Sequence, residues 1–207
     1  MAKAYRSVHV QAYSGKINWL SDTITVTLHS SSYAPDLDAH AYVSSLTNEL
    51  TTGGGYTAGG LTLSGKGLTY TAANSWGTSA ATGTSYAVET VVRPAAANGY
   101  VYRCAVSGTS GGSAPTWPTT IGQTVTDGTV TWETVGRGVV QFTATSPSWS
   151  SATFGPCRYL VISDRTPGTA ATQPLIGLVD FGTDQTGGGG LFQVTWAAQG
   201  ILLIFIP

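Results

Sequence analysis

Charge is what this chain has least of. Nine Lys and Arg stand against ten Asp and Glu in 207 residues, for a net charge of -1. That balance excludes a basic footprint for nucleic acid and a polybasic membrane patch. Histidine and cysteine are also scarce. His9, His29 and His40 fall within the first 40 residues, and Cys104 and Cys157 lie far from them and from each other. No ligand spacing for a metal results. The longest apolar run, residues 201–206, is far too short to span a bilayer as a helix. The N-terminal stretch MAKAYRSVHVQAYSGK lacks the continuous apolar core of a secretory signal. Synthesis in a cytoplasm is the expectation, with both cysteines more often reduced there than bonded. Their spacing leaves open whether they meet.

The motifs that would carry catalysis are missing as well. GTSGG at 108–112 has neither the G-x-S-x-G spacing nor a strand-turn-helix context, so it reads as a linker. GGGYTAGG lacks the Gly-Lys-Ser/Thr ending of a phosphate loop. The close pair Asp36 and Asp38 reads as helix capping and first-turn charge. Asp180 and Asp184 offer too few oxygens for a calcium loop and read as a surface turn. No catalytic residue, metal ligand or cofactor is expected, and the chain is read as a non-enzyme.

What is abundant is Thr, Ser and Gly. Ser and Thr make up about a quarter of the chain, and there are 27 glycines. With Val, Tyr and Trp added, this composition favours strands. The fold class expected is mainly β: a sandwich or barrel-like domain with one or two short helices near the N-terminus, carrying a small inserted β-hairpin module. Residues 1–16 fit either period and are read as a short helix ending near Gly15. A second short helix is expected after Pro35. DTITVTLHSS alternates, with Ile24, Val26 and Leu28 on one face and Thr25, Thr27 and His29 on the other. It reads as a half-buried strand that leaves His29 at the surface. LTLSGKGLTY, GVVQFTA, CRYLVISD, PLIGLVDFG, LFQVTWAA and the C-terminal ILLIFI supply further strands, the last apolar on both faces.

Residues 85–136 differ in character. Asp127-Gly128 is a strong hairpin signal, since both residues tolerate positive φ. A turn centred there pairs Val125 with Val130 and Thr126 with Thr129. One face then carries Ile121, Val125, Val130 and Trp132, and the other carries threonines. The boundaries expected are 1–84 and 137–207 for the host domain and 85–136 for the inserted module.

The flanking segments resemble a family of tailed-bacteriophage virion structural proteins. SGKINWLSDTITVTLHSSSYAPDLDAHAYVSSL, GGGYTAGGLTLSGKGLTY and RYLVISDRTPGTAATQPLIGLVDFGTDQTGGGGLFQVTWAAQGIL carry the likeness, over most of 1–73 and 137–203. Within the insertion, NGYVYRC, APTWPTT and VTDGTVTW are similar to small carbohydrate-binding units of phage tail and fibre proteins. The resemblance implies a capsid decoration (cement) protein at the capsid surface, bound to the major capsid protein. A tail or baseplate accessory with a carbohydrate-binding insertion is the alternative.

Self-association as a trimer fits such a role, as does an insertion facing a host-surface glycan. No nucleic acid or membrane is expected as partner. The residues expected at the capsid are Ile201, Leu202, Leu203, Ile204, Phe205 and Ile206, with the N-terminal arm as a second contact element. For a glycan they are Trp117, Tyr100 and Tyr102, flat amphipathic rings suited to stacking. Trp132 shares a face with Val125 and Val130 and reads as core. Trp117, between Pro115 and Pro118, is open between a lid over that core and an exposed contact.

Overall fold

The computed structural model describes all 207 residues. The first half of the chain forms β1 (Lys3–Ala4), α1 (Ser7–Tyr13), β2 (Ile24–His29), β3 (Leu61–Thr62), β4 (Gly67–Ala72), β5 (Ser85–Tyr86) and β6 (Val91–Val92). Next come β7 (Val101–Val106), β8 (Gly108–Thr109), β9 (Thr124–Asp127), β10 (Val130–Gly136) and β11 (Gly138–Thr143). The last strands are β12 (Ser148–Trp149), β13 (Cys157–Asp164), β14 (Leu175–Gln185), β15 (Phe192–Gln193) and β16 (Leu202–Ile206). The protein is mainly β, with one α-helix. The strands form several antiparallel sheets.

The chain divides into two compact units. The first comprises Met1–Gly67 and Thr143–Leu202, and the second comprises Leu68–Phe142 and Leu203–Pro207. Residues 85–136 all fall in the second unit. That unit also takes in 68–84, 137–142 and 203–207, which sequence reading assigned to the host. Ala73, Trp76, Val139, Leu203 and Phe205 from those added segments complete one of its hydrophobic clusters.

The first unit is organised by a five-stranded sheet in the order β1-β14-β13-β2-β3. β2 pairs with β13 in register, Thr27 opposite Val161 and Val26 opposite Ile162. Side chains opposite each other share a face. Val26, Leu28, Leu160 and Ile162 therefore lie on one face, and Thr25, Thr27, His29 and Val161 lie on the other. Both faces are covered. Val161 packs with Tyr5, Tyr33, Leu175 and Leu178, and Leu37, Val43 and Leu46 close over them. The expected half-buried β2 is thus buried at every position.

His29 is corrected with it, from a surface residue to a fully buried one. Its ring stands 5.2 Å from that of Tyr33, which roofs its face. The helix expected after Pro35 is a turn instead: Asp36 Oδ1 accepts from the backbone N–H of Asp38 and Ala39, each at 2.9 Å.

The N-terminal arm forms an edge strand of this sheet. β1 pairs with β14, Ala4 opposite Gly177, and Tyr5 behind it is fully buried. α1 follows and ends at Tyr13, two residues before Gly15, whose φ of +72° suits a glycine.

The second unit contains a four-stranded sheet, β6-β7-β10-β9, and a three-stranded sheet, β16-β11-β4. The hairpin of β9 and β10 forms, with a register two residues from the expected one. Asp127 pairs with Val130 and Val125 with Trp132, so the turn residues are Gly128 and Thr129. A shift of two preserves facing, because side chains alternate with period two. Val125, Val130 and Trp132 therefore share a face in either register.

Asp127 sets the choice. It is buried at the end of β9, where Oδ1 accepts from Gly111 N–H at 2.8 Å and Oδ2 from Trp132 Nε1–H at 3.3 Å. Gly128 adopts φ +65°, and a side chain there would meet Gly111 N at 2.7 Å. Ile121, expected on the apolar face, is exposed instead.

Candidate functional site

The three-stranded sheet of the second unit holds the strongest candidate surface. Its inner face is fixed by Val139 of β11 with Leu203 and Phe205 of β16, which pack with Trp76, Val91 and Val101. Alternation then turns Ile204 and Ile206 of β16, and Val140 and Phe142 of β11, to the opposite face. Gly138 faces that way too, and a Cβ built on it would strike the Tyr70 ring at 2.6 Å. Tyr70 therefore lies across β11 at Gly138, and Leu68 shares its face of β4. Tyr70 is 59% exposed, Leu68 44% and Ile206 36%. Val140, Phe142 and Ile204 are half-buried. Six apolar side chains thus form a strip on one sheet face, with β16 and β4 at its edges.

Residues 201–206, expected as one contact element, separate into three roles. Ile201 and Leu202 are buried, and Ile201 O accepts from Ala2 N–H at 2.8 Å. Leu203 and Phe205 are core of the second unit. Only Ile204 and Ile206 reach the strip. Leu68, Tyr70, Val140 and Phe142 were not singled out from sequence. The signal available was the alternation of Leu68 and Tyr70 in GLTY. The close approach of Tyr70 to Gly138 is non-local and leaves no local trace.

The aromatic candidates also divide. Tyr102 is corrected from a contact residue to core. It is fully buried, and its hydroxyl accepts from Asn98 Nδ2–H and donates to Pro118 O, both at 2.7 Å. Burial raises its pKa. Trp117 lies half-buried over this core, 4.5 Å from the Tyr102 ring and 5.9 Å from that of Trp132. It covers the cluster of Val92, Tyr102, Cys104, Val130 and Trp132. Tyr100 is half-buried, with the Arg137 guanidinium 4.6 Å above its ring and bonded to its hydroxyl at 2.5 Å. The structure brings Trp117 and Tyr102 together as wall and lid, and gives Tyr100 a cation as its neighbour.

The titratable groups of the first unit are tied into structure. His29 Nδ1–H donates to Thr47 O at 2.8 Å, so Nε2 is left to accept from Thr27 Oγ1–H at 2.9 Å. Burial lowers its pKa and keeps it neutral. Tyr56 donates to Glu49 Oε1 at 2.7 Å and accepts from Leu28 N–H at 3.2 Å. Burial pushes its pKa up. Asp180 is paired with Arg158 at 2.5 Å, which holds its carboxyl below the usual range. Burial raises the pKa of Asp164, and Asp22 adds to the shift.

Cys104 and Cys157 are both free and buried, Cys157 with its thiol raised to about 11. No group of three or more His, Cys, Asp or Glu stands where it could hold a metal ion. No helix is long and apolar enough to cross a membrane. No family model, no curated protein and no solved structure matches the chain.

Proposed function

We propose that this chain is a capsid decoration subunit of a tailed bacteriophage, a non-enzymatic protein that binds the major capsid protein at the virion surface. The observation that carries the reading is the apolar strip of Leu68, Tyr70, Val140, Phe142, Ile204 and Ile206. A partly exposed apolar patch on a chain with so few charges is a surface suited to a protein partner. Stable attachment needs an interface of about 1,000 Å² or more, which the strip would supply as its central portion. With few charges involved, such binding depends little on salt. Self-association of the bound subunits as a trimer belongs to the same proposal.

The test is particle composition together with attachment. Purified virions should contain the chain in a fixed ratio to the major capsid protein, by quantitative mass spectrometry. Tyr70→Lys and Ile206→Lys should abolish co-sedimentation with capsids while leaving thermal unfolding unchanged. Virions without the chain would overturn the proposal.

A second reading, a tail or baseplate accessory whose insertion binds a host-surface glycan, is favoured by Trp117. This ring is held rigidly against Tyr102 with part of its surface open. A handful of copies per particle, located at the tail, would select it.

A further inference from the structure

A concave surface lies in the first unit, remote in sequence from the insertion. The distal part of β14 and the segment 192–195 line an open groove of about 360 Å³. That lies within the ~300–1,000 Å³ typical of small-molecule sites. Phe181 and Phe192 form its aromatic wall, their ring centroids 6.4 Å apart and nearly perpendicular. Val179 and Val194 provide apolar floor, and Gln185, Gln193 and Thr195 supply polar groups.

The wall is rigid because Phe192 is the outer end of an aromatic stack. Its ring stands 5.1 Å from Phe154 and 5.9 Å from Trp149, and both of those pack on the buried Tyr56. Phe181 meets the stack at this outer end, half-buried at the groove.

No ionisable side chain lines the groove. The acidic residues of β14 beside it are engaged elsewhere. Asp180 is paired with Arg158, and Asp184 Oδ2 accepts from Ser31 Oγ–H at 3.1 Å. Gln185 Nε2 donates to Thr183 O and Thr183 Oγ1, which leaves its Oε1 as the acceptor. Gln193 and Thr195 are exposed.

From this combination we infer that the Phe181–Phe192 groove binds an uncharged saccharide: a sugar ring stacks on Phe181, and its hydroxyls bond to Gln193, Thr195 and Gln185 Oε1. Aromatic faces accept the C–H face of a sugar, and amide and hydroxyl side chains can both donate and accept. A charged ligand would find no counter-ion. This assignment is independent of the attachment strip and of Trp117.

The experiment titrates the full chain with maltohexaose, cellohexaose and chitotriose, following backbone amide signals by NMR. A sulfated disaccharide serves as the charged control. At least one neutral sugar should give saturable shifts centred on Phe181, Gln193 and Thr195, with an affinity on the order of millimolar. Phe181→Ala should weaken it by about five- to tenfold. Gln193→Ala, at an exposed position where folding is not at stake, should weaken it by about threefold.

Four results would each overturn the inference. These are no saturable shift up to about 50 mM of any neutral sugar, shifts that survive both substitutions, shifts centred on Trp117 and Tyr100, or a groove that takes only the sulfated disaccharide.

Discussion

β2 and β10 carry the same kind of sequence and meet different fates. ITVTLH alternates apolar and polar residues throughout, and VTWETVG does so from Val130 to Glu133 before Thr134 and Val135 reverse the order. β10 alternates in burial, buried at Val130, Trp132, Thr134 and Gly136 and half-buried between them. β2 is buried throughout. Alternation therefore reports which residues share a face, and says nothing about whether the second face meets water. In β10 the second face stays partly open. In β2 it is roofed by Tyr33, Leu37, Val43 and Leu46, which arrive from a segment with no regular helix or strand period.

The contrast can be broken by mutation, read through separate tryptophans: Trp76, Trp117 and Trp132 in the second unit, and Trp19, Trp149 and Trp196 in the first. The largest effect is expected from Trp132→Ala. Its fully buried ring anchors the cluster of Val92, Tyr102, Cys104 and Val130, and its loss should cost the second unit about 3–5 kcal/mol in denaturant unfolding. The first unit's transition should not move.

Asp127→Ala comes next, at about 1–3 kcal/mol, because it strands the Gly111 N–H and the Trp132 indole N–H in a buried setting. Asp127→Asn should cost less, since its carbonyl still accepts.

The third effect is one of pH and belongs to the first unit alone, since all three histidines lie there. The pKa of His29 is lowered in the folded protein, while the unfolded chain protonates near the ordinary ~6.5. Its contribution is therefore complete above about pH 6.5 and is lost as pH falls toward the depressed folded pKa. The slope is at most about 1.4 kcal/mol per pH unit. His29→Gln should flatten that part of the first unit's stability profile, and the second unit should show no such slope from a histidine.

The smallest effect is expected from Asp38→Ala. It breaks an ion pair with Arg6 in which both side chains are about three-quarters exposed, and the change should stay under about 0.5 kcal/mol.

The β class, a short helix ending near Gly15 and the existence of the β9–β10 hairpin were legible because each rests on local chemistry: β propensity, a left-handed glycine, a turn dipeptide. The hairpin register was not, because Asp127 is committed to Gly111 and Trp132, neither of which a turn rule considers. LFQVTWAA shortened to Phe192–Gln193, since only Ser148 and Trp149 were present to pair with it. Of the candidate surfaces, Ile204 and Ile206 could be read from an apolar run. Their neighbours on β4 and β11 could not, because sheet adjacency across residues 68–206 is invisible to local patterns. Tyr102 and Trp117 looked alike in sequence. One paired cross-strand with Val92 and Thr134 and became core, while the other stayed on a proline-flanked loop above it.

The closing of the Trp76–Val139 cluster by Leu203 and Phe205 also sets an order of events during synthesis. Those two side chains lie more than sixty residues beyond Val139. The second unit therefore cannot close this cluster until all of the first unit's chain, which ends at Leu202, has left the ribosome, so the unit whose strands are made in mid-chain is the last to seal its interior.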